Sequence, residues 1–86
     1  GADLEIAGAL DRKKVDLAFE NAKVRDIVGF LEEFSKIPIR FKEPLPDRPI
    51  TLQIRDLPMG QCLELLLLPL GFDARISSGA LEVFPR

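Results

Sequence analysis

Few side chains in this sequence could do chemistry, and they are spread along it. Glu32 and Glu33 form an adjacent carboxylate pair, and Asp56 adds a third acid from which a general acid and base would be drawn. Cys62 is the only cysteine, hence the one candidate nucleophile or thiolate ligand. Histidine is absent. Its absence removes the commonest general base, the commonest metal ligand and the usual activator of a cysteine. A single cysteine forms neither an internal disulfide nor a thiolate metal cluster. The six glycines are scattered, with no G-x-G-x-x-G or P-loop spacing to cradle a phosphate. The expectation is therefore a chain with no catalytic residue, no metal site and no cofactor.

The elements that carry these residues give each a plainer task. Glu32 and Glu33 fall on the polar side of an amphipathic helix, without the burial that tunes a catalytic carboxyl. Asp56 precedes Leu57-Pro58, a helix start with proline at the first helical position, and capping accounts for it. Cys62 lies on the apolar face of that helix, where a cysteine serves as a small hydrophobe.

The bulk properties agree. Eighty-six residues make one domain, with 47% hydrophobic and 30% charged residues, the mix of a folded domain. A chain of this size buries roughly 60% of its unfolded surface, so its core is thin. The net charge of −2 lacks the basic field that binding to nucleic acid requires. No apolar run approaches the roughly 18 residues of a membrane span, so direct membrane insertion is not expected. No signal-peptide pattern opens the chain, and Gly1 fits a piece excised from a longer exported protein.

Periodicity orders the elements. Residues 1–13, with weak helical spacing at Leu4, Ile6 and Leu10, read as a linker or lead-in segment, and the domain as residues 14–86. Val15, Leu17 and Phe19 alternate with polar or small residues as a half-buried strand. Asn21 stands as a helix N-cap before Val24, Ile27, Val28, Leu31 and Phe34, one face of a helix of about 14 residues. Gly29 within it implies close approach of a neighbouring backbone. Pro38 ends the helix, and Ile37, Ile39 and Phe41 form a strand that lies at an edge or pairs only after the proline. Glu43–Pro49 is a stiff loop with three prolines, and Ile50, Leu52 and Ile54 form the next strand. Met59, Cys62, Leu63, Leu66, Leu67 and Leu70 face one side of a second helix, with Leu65 and Leu68 spilling onto the other. Such a helix requires cover on more than one side. Pro69 and Gly71 end it. The Phe72–Ile76 and Ala80–Phe84 strands then close a hairpin about Ser77-Ser78-Gly79. The order is β-α-β-β-α-β-β, an α+β chain.

Its first six elements, β-α-β-β-α-β, are also the order of ferredoxin-like modules that bind RNA or small ligands. RNA-binding ones stack bases on exposed sheet aromatics. Phe84 is the strand aromatic out of phase with its apolar neighbours. Arg40, Lys42, Arg48 and Arg55 offer a small positive strip, read here as a solvated face.

The ordered set of marks resembles the short N-terminal domain of secretins and TonB-dependent receptors. They are Val15-Asp16-Leu17-Ala18-Phe19-Glu20-Asn21-Ala22, Arg25-Asp26-Ile27-Val28, Ile50-Thr51-Leu52-Gln53-Ile54, Leu57-Pro58-Met59 before the leucine-rich helix, Leu70-Gly71-Phe72 after it, and the terminal hairpin. The resemblance spans residues 14–85. It departs at Ser35-Lys36-Ile37-Pro38, where that family usually carries a Thr-Gly turn. It implies two helices packed between a two-stranded and a three-stranded sheet, and no catalytic or ligand motif. It also implies a role in protein–protein contact in the periplasm, as part of an outer-membrane or exported protein. The partners implied are an inner-membrane component or a regulator, and other copies in a ring. Strand edges are the expected contact, through Val15, Leu17 and Phe19 or through Ala80, Glu82 and Phe84.

Overall fold

Alternating apolar residues build two small sheets, and the helical stripes between them are long enough to need both. In the computed structural model, which describes Gly1–Arg86, the elements are α1 (Ala2–Arg12), β1 (Lys14–Lys23), α2 (Val24–Ser35), β2 (Ile39–Phe41), β3 (Pro49–Pro58), α3 (Met59–Leu67), β4 (Phe72–Ser77) and β5 (Ala80–Pro85). A 3-10 turn over Leu68–Leu70 extends α3. β1 and β3 pair antiparallel as one sheet. The other has the order β2-β5-β4, with β2 parallel and β4 antiparallel to β5. From β1 onward the chain is the expected α+β succession, with α2 and α3 packed between a two-stranded and a three-stranded sheet.

The first thirteen residues are more than a lead-in. Ala2–Arg12 form a helix whose Ile6 is buried in the main core, with Ala9 and Leu10 packed against it. Two hydrogen bonds tie its ends to the domain. Gly79 N–H donates to Asp3 Oδ1 at 2.7 Å, and Met59 N–H donates to Lys13 O at 2.8 Å. The folded unit thus includes Ala2–Arg12 and does not start near Lys14. The stripe is only one buried residue deep, which is why its spacing is weak in the sequence.

Asn21 and Asp56 share one role in the β1–β3 sheet. Neither caps a helix. Both adopt positive φ, 51° and 50°, and each stands at a register shift in the β1–β3 ladder. Asn21 N–H donates to Thr51 Oγ1 at 3.2 Å, and Asp56 N–H to Asp16 Oδ1 at 2.7 Å. Short polar side chains suit both N-caps and left-handed bulge positions, so residue type alone does not separate the two. The helices start instead after Lys23 and Pro58, without side-chain caps.

In α2, Val24, Ile27, Val28 and Leu31 are buried as spaced, but the next position inward is Ser35, and Phe34 is left exposed. Ser35 is satisfied locally: its hydroxyl donates to Leu31 O and accepts from Ile37 N–H. Lys36 takes the left-handed C-cap at φ 62°. Pro38, which lacks an N–H, still joins the sheet by accepting from Leu81 N–H, and β2 begins just after it at the sheet edge. Ile39 N–H then donates to Glu32 Oε2 at 2.8 Å, tying β2 to α2. Gly29 has no neighbouring atom within 4 Å of a Cβ, so no close backbone explains it. Gly29→Ala is therefore expected to raise the unfolding free energy by about 1 kcal/mol, the helix-propensity difference. Urea denaturation reads this as a higher midpoint at unchanged slope, and an unchanged or lowered midpoint would contradict it.

α3 buries Met59, Cys62, Leu63, Leu66 and Leu67 and packs on strands of both sheets. Leu17 and Ile54 from one sheet and Leu81 and Val83 from the other join these residues in a single core. Leu65 remains 57% exposed, so sandwiching does not cover the whole leucine run. Gly71, at φ 83°, makes the turn out of α3 into β4, a conformation that glycine adopts without steric cost.

Candidate functional site

The two expected contact strands are placed differently by the sheet order. β5 is the central strand, not an edge. Leu81 N–H donates to Pro38 O at 2.8 Å and Val83 O accepts from Lys42 N–H at 2.9 Å, both toward β2. The alternate residues Ala80, Glu82 and Phe84 therefore turn their main-chain groups to β4. A terminal hairpin reads as having a free side in sequence. Here a three-residue parallel strand from far upstream fills it. β1 does keep one unpaired side, but Val15 and Leu17 are buried in the core, Phe19 is half-buried, and two register shifts break the ladder.

The edge with most to offer is β4. Because Asp73, Arg75 and Ser77 pair with β5, Phe72, Ala74 and Ile76 face their N–H and C=O groups outward. Beside that edge, between β4 and α3, runs a groove of about 320 Å³. Leu63 and Leu67 of α3, Leu10 of α1, Ala74 and Ile76 of β4 and Leu81 of β5 form its apolar lining. Ala74 and Ile76 are only partly covered: α1 and α3 pack beside β4, and no further strand pairs with it. Glu64, Asp73 and Arg75 are its charged lining residues. One outward group is already engaged: Ala74 N–H donates to Asp73 Oδ1 at 2.8 Å. A sequence signal for this edge existed in the charges at Asp73 and Arg75, since edge strands carry charge to discourage promiscuous pairing.

On the outer face of the three-stranded sheet, Arg75 donates to Glu82 Oε1 through Nε at 2.8 Å and approaches the same oxygen through Nη2 at 2.7 Å. That hydrogen bond holds the Glu82 carboxyl below its ordinary range, and the positive charges of Arg75, Lys42 and Arg40 add to it. Arg75 also lies over the Phe84 ring, 4.5 Å from its centroid. The proposed positive strip is divided, with Arg40 in the three-stranded sheet and Arg55 in the two-stranded one.

The residues weighed for chemistry are not assembled. Glu32 and Glu33 are exposed on α2, one accepting from Ile39 and the other 3.7 Å from Lys36 Nζ. Asp56 lies at the β3 bulge beside Asp16. Cys62 is fully buried, and burial pushes its thiol up from 9.0 to about 11. The folded chain thus holds its proton more tightly than the unfolded one. Stability is accordingly expected to fall as pH rises from about 9 toward 11, and thiol reagents at pH 8 are expected to label Cys62 only as fast as the domain opens. Cys62→Ser provides the check: a wild-type loss over that window no larger than the variant's would exclude the linkage.

Two other surfaces are notable. Phe30 stacks on Phe34 at 6.2 Å and meets Phe19 edge-on at 5.9 Å, giving a partly exposed aromatic strip on α2. Phe41, which the alternation placed with buried residues, is 43% exposed at the β2 edge, in a cleft with Arg25, Lys42 and Leu45. Compared with known proteins, the chain matches no family model and no curated relative.

Proposed function

We propose that this chain is a non-catalytic protein–protein interaction module that takes up an extended segment of a partner as a fourth strand beside β4. The observation that carries the reading is the open β4 edge lying directly against an apolar groove. Main-chain pairing to Ala74 and Ile76 would supply affinity. Alternate partner side chains would enter between β4 and α3, onto Leu63, Leu67 and Leu10, and supply selectivity. Aliphatic residues suit that lining.

The resemblance to secretin and TonB-receptor short N-terminal domains supports the same reading, because the two-layer sheet arrangement it implies is the arrangement seen here. On that basis the module works in the periplasm as part of an exported or outer-membrane protein, and its partner is an inner-membrane component or a regulator. The RNA-binding alternative draws no support at the place where it would act. Phe84 is covered by Arg75, and Arg75 is paired with Glu82.

A random-peptide display library selected against the domain tests this reading. Enriched peptides are expected to alternate aliphatic residues and to bind with Kd in the micromolar range, about −8 kcal/mol. Ala74→Pro removes an outward N–H without breaking the β5 ladder, and is expected to weaken binding at least about tenfold. No enrichment, or equal binding by a folded Ala74→Pro domain, would sink the reading.

A further inference from the structure

Resting on the reading of β4 as the working edge, we propose that β4 also pairs with β4 of a second copy of this chain. The two strands run antiparallel about a two-fold axis at Ala74. Pairing switches Asp73 from guarding its own strand to an ion pair across the interface.

The register follows from which residues face outward. Phe72, Ala74 and Ile76 carry the outward main-chain groups, so a symmetric antiparallel pair can be centred at the interior residues Asp73, Ala74, Arg75 or Ile76, and centring on Asp73 sets two Asp73 carboxylates directly opposite each other. Centring on Arg75 sets two Arg75 side chains directly opposite each other, and like charges in that position are unfavourable. Centring on Ile76 sets Arg75 against Ser77 and leaves Asp73 opposite the hairpin turn. Centring on Ala74 sets Asp73 opposite Arg75 of the second copy, twice by symmetry. It also sets Phe72 opposite Ile76 on the core-facing side. Charge and apolar complementarity therefore select the Ala74-centred register. Three facing pairs give up to about six main-chain hydrogen bonds.

Asp73 connects the free and paired states. In the single chain its Oδ1 accepts from Ala74 N–H, occupying the main-chain donor at the centre of the would-be interface. In the pair that donor takes Ala74 O of the second copy, and the released carboxylate lies opposite the second copy's Arg75. Arg75 has capacity for it: Glu82 engages Nε and Nη2, which leaves Nη1, and the side chain is 52% exposed. The product is one sheet in the order β2-β5-β4-β4-β5-β2. An isologous contact of this kind closes on itself and does not propagate into fibres.

Sedimentation velocity of the full chain at low salt, from about 10 µM to about 1 mM, is expected to show a monomer–dimer equilibrium. Ala74→Pro is expected to abolish the dimer. Asp73→Arg and Arg75→Asp each set like charges across the axis, and each alone is expected to weaken dimerisation at least about tenfold. When the two variants are mixed, one copy of each brings opposite charges together at both crossings, and the heterodimer is expected to recover wild-type affinity. Circular dichroism identifies the variants that fold; if Arg75→Asp does not, Ala74→Pro and Asp73→Arg still decide the matter. A chain monomeric at the highest concentration overturns the dimer while leaving peptide capture by β4 intact. A dimer indifferent to Ala74→Pro and Asp73→Arg lies elsewhere and also overturns it. Peptide selection that fails while the charge-swapped dimer forms overturns the heterotypic reading instead.

Discussion

Leu66→Ala is expected to lower the unfolding free energy by about 3 kcal/mol, whereas Leu65→Ala will change it by less than about 0.5 kcal/mol. The two leucines are adjacent in a run of four, and only their helical phase separates them. Leu66 is 2% exposed within a core that includes strands of both sheets, so truncation there leaves a cavity that neither layer can easily close. Leu65 is 57% exposed and loses little packing. Parallel urea titrations of the two variants measure the difference, with unchanged slopes confirming that the unfolded state is the same. Equal losses for both would mean that α3 is not held between the sheets in this orientation.

Deleting residues 2–12 should cost a comparable amount, about 3 kcal/mol. Removing α1 exposes the surface that covers Ile6 and uncovers the partly buried contacts of Ala9 and Leu10. Full burial of one aliphatic side chain is worth about 1.5–3 kcal/mol, and two partly buried ones add to that. The hydrogen bond from Gly79 N–H to the Asp3 carboxylate is lost as well. A domain of this length has roughly 4–13 kcal/mol in total, at about 0.05–0.15 kcal/mol per residue. The truncated chain would therefore be visibly less stable at room temperature. Leu4→Ala, at a site 78% exposed, is the matched control and should be neutral. A truncated chain with the full-length midpoint would return residues 1–13 to the status of a lead-in.

Much of the architecture was legible because alternation of period two and stripes of period 3.6 survive in the primary structure. The five strands, the two central helices, the stop at Pro69-Gly71 and the hairpin at Ser78-Gly79 all follow from such local signals. α1 escaped because one buried isoleucine makes a poor stripe. Asn21 and Asp56 escaped because the same short polar side chains serve caps and bulges, and only the partner strand decides between them. Phe34 escaped because helical spacing places it near the buried face without stating how wide that face is. Ser35 takes the inward position instead, and Phe34 packs on Phe30 at the surface.

The candidate site was the least legible part. Edge or centre is a property of sheet order, and sheet order depends on a β2–β5 pairing between residues about forty positions apart. Beyond the charges at Asp73 and Arg75, local sequence contains no record of that choice. What the sequence alone determined is the set of elements and the apolar surface each must hide, because these depend on near neighbours along the chain. The tertiary structure decided which edge stays open, because hydrogen-bonding groups on a strand are identical on both sides until a neighbour occupies one of them.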